Sequence, residues 1–199
     1  MRTMTKAALM GATMLGLATT ANAEIINEQY LDRNDTIVEN AAKVQNFSTL
    51  VAAVEAAGLA DALMGDGPYT IFAPLDTAFA DLPAGTVETL LEPENREQLA
   101  TILQAHVIPG AYTSEELIAL FSAAPNNAGD DFDGRLNVID ATTFAVPTIN
   151  DRQLQIERVN DRLAVSLGDD AEEIRVVEGD IVSSNGVIHV IDGVLIPQM

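Results

Sequence analysis

The spacing of apolar residues changes character near Phe121: before it the period is that of a helix, after it that of a strand. Phe47, Leu50, Val51 and Val54 fall at offsets 0, 3, 4 and 7. With Ser48 placed to cap and Gly58 just past the end, Ser48 to Ala57 reads as an amphipathic helix whose apolar face requires a partner surface. Tyr69 to Ala73 is β-prone and is stopped by Pro74; Asp76 then stands where its side chain accepts from the free backbone N–H groups of a short helix through Phe79. Asn95 to His106 predicts another helix, with Leu99, Ile102, Leu103 and His106 as its stripe, so His106 faces inward. Thr113 and Glu116 have the spacing of a capping box ahead of a helix that runs to about Phe121.

Beyond that point Leu154 and Ile156 alternate with Gln155 and Glu157, and Leu163, Val165 and Leu167 alternate with Ala164 and Ser166. Two strands with one face toward a core follow, joined by a turn at Asn160-Asp161. Ile174 to Val177 and Val187 to Ile191 supply further strands, the second so continuously apolar that it is expected to be buried on both faces. Helices first and strands later predict an α+β fold.

The first 23 residues stand outside this pattern. Arg2 and Lys6 precede an uncharged run from Ala7 to Ala18, and Ala21-Asn22-Ala23 offers small residues for cleavage, the layout of a secretory signal peptide. A run of roughly 12 residues falls short of the ~20 that span a bilayer. Residues 24–34 then form an extension, and residues 35–197 one domain, with an extended loop or hairpin insertion at about 122–146. Without the leader, eight basic residues face thirty acidic ones, a formal charge of −22. Such a surface repels nucleic acid and anionic membranes. The expected location is secreted or periplasmic, with cell-surface association, and no stable membrane insertion; oligomeric state is left open.

Catalytic chemistry finds little support. The chain has no cysteine and no Gly-x-Ser-x-Gly elbow, its two histidines, His106 and His189, lie 83 positions apart, and nothing singles out an acid/base pair among the carboxylates. A histidine on an apolar helical face or inside an apolar strand reads as a core group. No cofactor is expected. The loosest metal candidate is calcium at Asp131, Asp133 and Asp140, which take positions 3, 5 and 12 of a calcium loop with Gly134 at position 6, but Gly129 occupies position 1 and the bidentate Glu is missing. Leu136 to Ile139 and Thr143 to Val146 predict a small hairpin in this insertion, projecting a surface peculiar to this protein.

Two segments carry a resemblance. Thr70 to Phe79 (TIFAPLDTAF) and Ser183 to Pro197, with Asn185-Gly186 making the turn into the last strand, resemble the two signatures of the fasciclin domain. His106-Val107-Ile108-Pro109-Gly110 between them is similar to the family's central Tyr-His segment, with Ala105 in the tyrosine position. The resemblance implies a wedge of two β-sheets with helices packed around it. It implies a non-catalytic binding or adhesion module directed at a cell-surface or matrix protein or polysaccharide, the alternative being a carrier of an apolar ligand such as a carotenoid or lipid. Glu178-Gly179-Asp180-Ile181-Val182 resembles the Asp-Ile motif through which some animal fasciclin domains engage integrins, which marks Asp180 and Ile181 as partner-binding. The other reading of this pair is a turn into a strand, with Asp180 solvated and Ile181 buried.

Overall fold

A capping box opens the first helix. In the computed structural model, which describes residues 31–197 except 66, 124–136, 141, 160–161 and 169–172, α1 (Ile37–Lys43) starts where Thr36 Oγ1 accepts from the Glu39 N–H and the Glu39 carboxylate accepts from the Thr36 N–H. A 3-10 turn carries Phe47 into the core, and α2 (Ser48–Ala57) ends at Gly58. The buried face of α2 is Leu50, Ala53 and Ala57; Val51 and Val54 are half-buried, so the stripe is rotated from the expected one. The expected leader and most of the expected 24–34 extension lie outside the described residues.

The remaining elements are α3 (Ala60–Leu63), β1 (Tyr69–Pro74), α4 (Asp76–Ala80), α5 (Thr86–Leu90), α6 (Arg96–Ala105), β2 (Val107–Pro109), α7 (Ser114–Ala123), β3 (Asn137–Val138), β4 (Thr143–Pro147), β5 (Gln153–Val159), β6 (Arg162–Ser166), β7 (Ile174–Ser183) and β8 (Gly186–Ile191). The strand order is β2-β1-β8-β7-β6-β5-β4-β3. Every neighbouring pair is antiparallel except β1 and β8, which run parallel from Tyr69↔Gly186 to Pro74↔Ile191. At three residues β2 was too short to leave a periodic signal.

Strand β7 joins the two halves of this one eight-stranded order, pairing with β6 on one side and β8 on the other. Its register against β8 shifts twice, between Val176 and Glu178 and between Glu178 and Ile181. Extra residues at such bulges bend a strand and increase its twist. One end of β7 therefore pairs with β6 through Arg175 and Ile174, while the rest follows β8. Helices pack around the bent sheet, the α+β arrangement the chain order predicts.

A hydrophobic core lies on each face of β1 and β8. Ile71, Ala73, Ile188 and Val190 point to the helix side, against Leu50, Leu99 and Leu103; Phe72 and Ile191 point the other way, against Leu117, Phe144, Leu154 and Val165. Double-faced burial explains why β8 is apolar along nearly its whole length. The α6 stripe of Leu99, Ile102, Leu103 and His106 is buried as its period predicts.

Three expectations need correction. Asp76 does not cap its own helix: α4 has no side-chain cap, and the Asp76 carboxylate instead accepts from the Thr49 N–H at 2.8 Å and the Ser48 hydroxyl at 2.6 Å, holding the start of α2. Ser48 is thereby a donor to Asp76 and not the cap. The hairpin expected to project from the 122–146 stretch pairs as predicted, Asn137↔Ala145 and Val138↔Phe144, but β4 also pairs along its length with β5 and buries Phe144, Ala145 and Val146. Residues 143–147 are thus a core strand. Leu136 and the Asn160-Asp161 turn lie outside the described residues.

Candidate functional site

The double bulge of β7 sets the geometry around Asp180. Asp180 is exposed and takes a left-handed backbone conformation, φ 67°, and its Oδ1 accepts from the Ser114 N–H at 2.6 Å. It therefore satisfies one of the orphan donors at the start of α7. Thr113 and Glu116 complete that helix start with the expected capping box: the Thr113 N–H and hydroxyl donate to the Glu116 carboxylate, and Thr113 Oγ1 accepts from the Glu116 N–H. These bonds hold the Glu116 carboxyl below its ordinary pKa.

Ile181 points the other way, into the helix-side core, and is 7% exposed. Both residues lie within β7 and not in a turn ahead of it, and the bulged register leaves Asp180 exposed and Ile181 buried, as the second reading of the Asp-Ile pair expects of their side chains.

Beside Asp180, an open cleft of about 270 Å3 lies between the first turns of α7 and strands β6 and β7, lined by Ser114, Ile118, Arg162, Leu163, Glu178 and Gly179 among others. Behind Gly179 sits His189, fully buried and stacked on Phe72 with ring centroids 5.5 Å apart. Its Nε2 lies 2.8 Å from the Tyr112 carbonyl. A carbonyl only accepts, so Nε2 carries the hydrogen and Nδ1 the lone pair. Nδ1 is buried and has no hydrogen-bond partner. Burial lowers the imidazole pKa, opposed by the Tyr112 bond and by the Asp180 charge.

His106 is the counterpart. Its Nδ1–H donates to the Ile102 carbonyl at 2.8 Å and its Nε2 accepts from the Leu195 N–H at 3.0 Å. Burial, only partly opposed by the Ile102 bond, pushes its pKa down to about 4. Both ring nitrogens are committed, and the ring ties α6 to the segment after β8.

Asn185 was legible as a turn residue but not as the hub it is. Its Oδ1 accepts from the Ile37 N–H at 2.9 Å, and its Nδ2 donates to the carbonyls of Leu63 at 2.8 Å and Gly65 at 3.0 Å. One buried amide joins α1, α3 and the β7–β8 turn. Gly186 follows because a Cβ there would stand 1.9 Å from the Tyr69 carbonyl oxygen. Nothing in the local pattern of Asn-Gly announces those distant partners.

Of the calcium candidates, Asp131 and Asp133 lie outside the described residues. Asp140 accepts from the N–H and the hydroxyl of Thr142 at 2.7 and 2.8 Å, bonds that lower its pKa. Glu157 is raised, first by burial and then by the like charges of Glu173 and Asp140. Among the described residues no three His, Asp or Glu side chains converge as a metal site would require.

Residues 45–197 match the fasciclin domain family. The chain belongs to that family. Protein sll1483 of Synechocystis sp. is 39% identical over 186 residues, covering 94% of this chain and 87% of that protein. Uncharacterized protein sll1735 of the same organism is 39% identical over 160 residues, covering 80% of this chain and 96% of its own length. Among solved structures, a FAS1 domain pair from the insect cell adhesion molecule fasciclin I matches with a TM-score of 0.63 at 20% identity, over 82% of this chain and 51% of that one. In the fasciclin domain the two signature segments are one piece of architecture: the first forms β1 and α4, the second β8, and they lie side by side with Phe72 opposite His189.

Proposed function

We propose that this protein is a non-catalytic binding module that acts outside the cytoplasm by adhering to a cell surface or its surrounding matrix. The observation that carries this is that the fasciclin family match spans nearly all of the described chain. The polar groups that sequence reading singled out support it, because Asp76, His106 and Asn185 are spent on caps and clamps. No helix among the described residues is long and apolar enough to cross a membrane. The partner is a surface or matrix protein or polysaccharide. The test is retention of the purified leaderless protein on intact producing cells and on their extracted matrix. Retention by neither overturns the reading.

Two variants locate the contact. Asp180→Asn keeps an acceptor for the Ser114 N–H and removes the charge, and a deletion confined to residues 124–136 spares β4. Unchanged retention in both places the contact elsewhere on the domain.

A second reading, a carrier of an apolar ligand, is favoured by one feature. A cavity of about 120 Å3, with almost entirely apolar walls, lies between the helices and the sheet, where Val51, Val54, Leu63, Met64, Ile71 and Ile188 meet. The half-buried valines that rotated the α2 stripe form its wall. The volume matches a group of a few carbon atoms, since a cavity of about 150 Å3 holds benzene; a carotenoid would have to part the helices. Absorbance of the purified protein and mass spectrometry of an organic extract decide it.

A further inference from the structure

Next to Gly179, which lines the cleft at the β7 bulge, lies a buried acceptor with no hydrogen-bond partner, Nδ1 of His189. A Cβ built on Gly179 would stand 2.3 Å from Ser114 Oγ and 3.1 Å from His189 Nδ1, so these two atoms lie within 5.4 Å of each other across the space that glycine leaves. A buried acceptor left without a donor bears the cost of its desolvation. Ser114 and Gly179, which meet at this point, both line the cleft. We propose that this cleft is a binding site for a single neutral sugar residue, one of whose hydroxyls enters above Gly179, donates to His189 Nδ1 and accepts from Ser114 Oγ.

The walls select the class. Arg162 and Glu178 put one positive and one negative planar group into the same cleft, a balance suited to an uncharged ligand with adjacent hydroxyls. Ile118 and Leu163 offer an aliphatic wall for the C–H face of a ring. Acidic sugars meet Asp180 at the rim and the strongly negative protein as a whole. At about 270 Å3 the space falls below the roughly 300 Å3 at which pockets for drug-sized ligands begin, so it takes one ring and not a longer oligosaccharide. The choice of sugars rests on the matrix-binding reading above; the cleft and its spare acceptor do not.

The experiment is 15N NMR of the imidazoles in the leaderless protein, titrated separately with glucose, galactose and mannose, and with glycine and glucuronate as charged comparators. The expected result is that at least one neutral sugar shifts the His189 Nδ1 resonance and leaves His106 unmoved. Arg162→Ala, at an exposed position, should weaken that response about tenfold, the loss of roughly one hydrogen bond. Gly179→Ala should abolish it; should that variant not fold, Arg162→Ala decides. No shift with any neutral sugar, an equal response in Arg162→Ala, or a larger response to glycine or glucuronate overturns the proposal. Retention on cells that persists in Arg162→Ala together with a silent His189 defeats the cleft and leaves the binding-module reading standing.

Discussion

The two histidines of this chain sit on opposite sides of the same problem. His106 closes a joint: both nitrogens are bonded, and the ring locks the end of α6 to Leu195. His189 is at least as deeply buried, yet only one of its nitrogens is used. The difference teaches where to look for function in a domain whose signatures are mostly architecture. Of the two rings, the fully bonded one reports on folding; the one with a nitrogen to spare lies next to the glycine of an open cleft.

The largest expected effect is at the closed joint. His106→Ala leaves the Leu195 N–H and the Ile102 carbonyl unpaired and opens a cavity, so it should destabilise the domain by about 3–5 kcal/mol in urea titration. Asn185→Ala strands the Ile37 N–H and the carbonyls of Leu63 and Gly65, for a loss of about 2–4 kcal/mol by the same measurement. A loss below 1 kcal/mol in both would remove the contrast between bonded and spare polar groups.

Acid sharpens it. Well above pH 6.5 the imidazole of His106 is neutral, folded or unfolded. As pH falls below 6.5 the unfolded chain takes a proton that the folded ring refuses until about pH 4, so stability declines across that window, by roughly 3 kcal/mol for His106, and the contribution levels off below it. His189, also lowered, acts in the same direction. Carboxylates held low by hydrogen bonds, such as Glu39 and Asp76, lose their contribution at lower pH; at Asp76 burial raises the pKa, but the bonds from Ser48 and Thr49 outweigh it. A urea midpoint flat between pH 6.5 and 4 would contradict the His106 assignment.

Smaller effects follow at the helix starts. Asp76→Ala should cost about 1–2 kcal/mol by releasing the first turn of α2. Arg162→Ala, at the exposed rim of the cleft, should change stability by less than about 0.5 kcal/mol. A larger loss there would mean that the cleft is part of the scaffold.

Elements with a strong local period were legible in the sequence. Leu99, Ile102, Leu103 and His106 sit on one helical face because nothing but their spacing is needed to put them there, and β8 announces its double burial by its composition. What was not legible depended on distant partners. Asp76 has the right chemistry for a cap, but its helix lies 27 residues back. Asp180 solvated and Ile181 buried was one of two local readings, but the bulged register against β8 that produces it, with both residues inside β7, lies in no window around residue 180. The cleft draws on residues near 114, 162 and 178, and its one local sign was Gly179, where a Cβ would crowd Ser114 Oγ and His189 Nδ1.

The contrast between the two rings has a direct test in the tautomers. In 15N-labelled protein at neutral pH, His106 should be the Nδ1–H tautomer with Nε2 as acceptor, and His189 the Nε2–H tautomer with an unbonded lone pair on Nδ1. Opposite tautomers with the free-acceptor shift confined to His189 are the result this account predicts. The same tautomer at both rings, or a protonated or strongly hydrogen-bonded Nδ1 at His189 in the ligand-free protein, would contradict it.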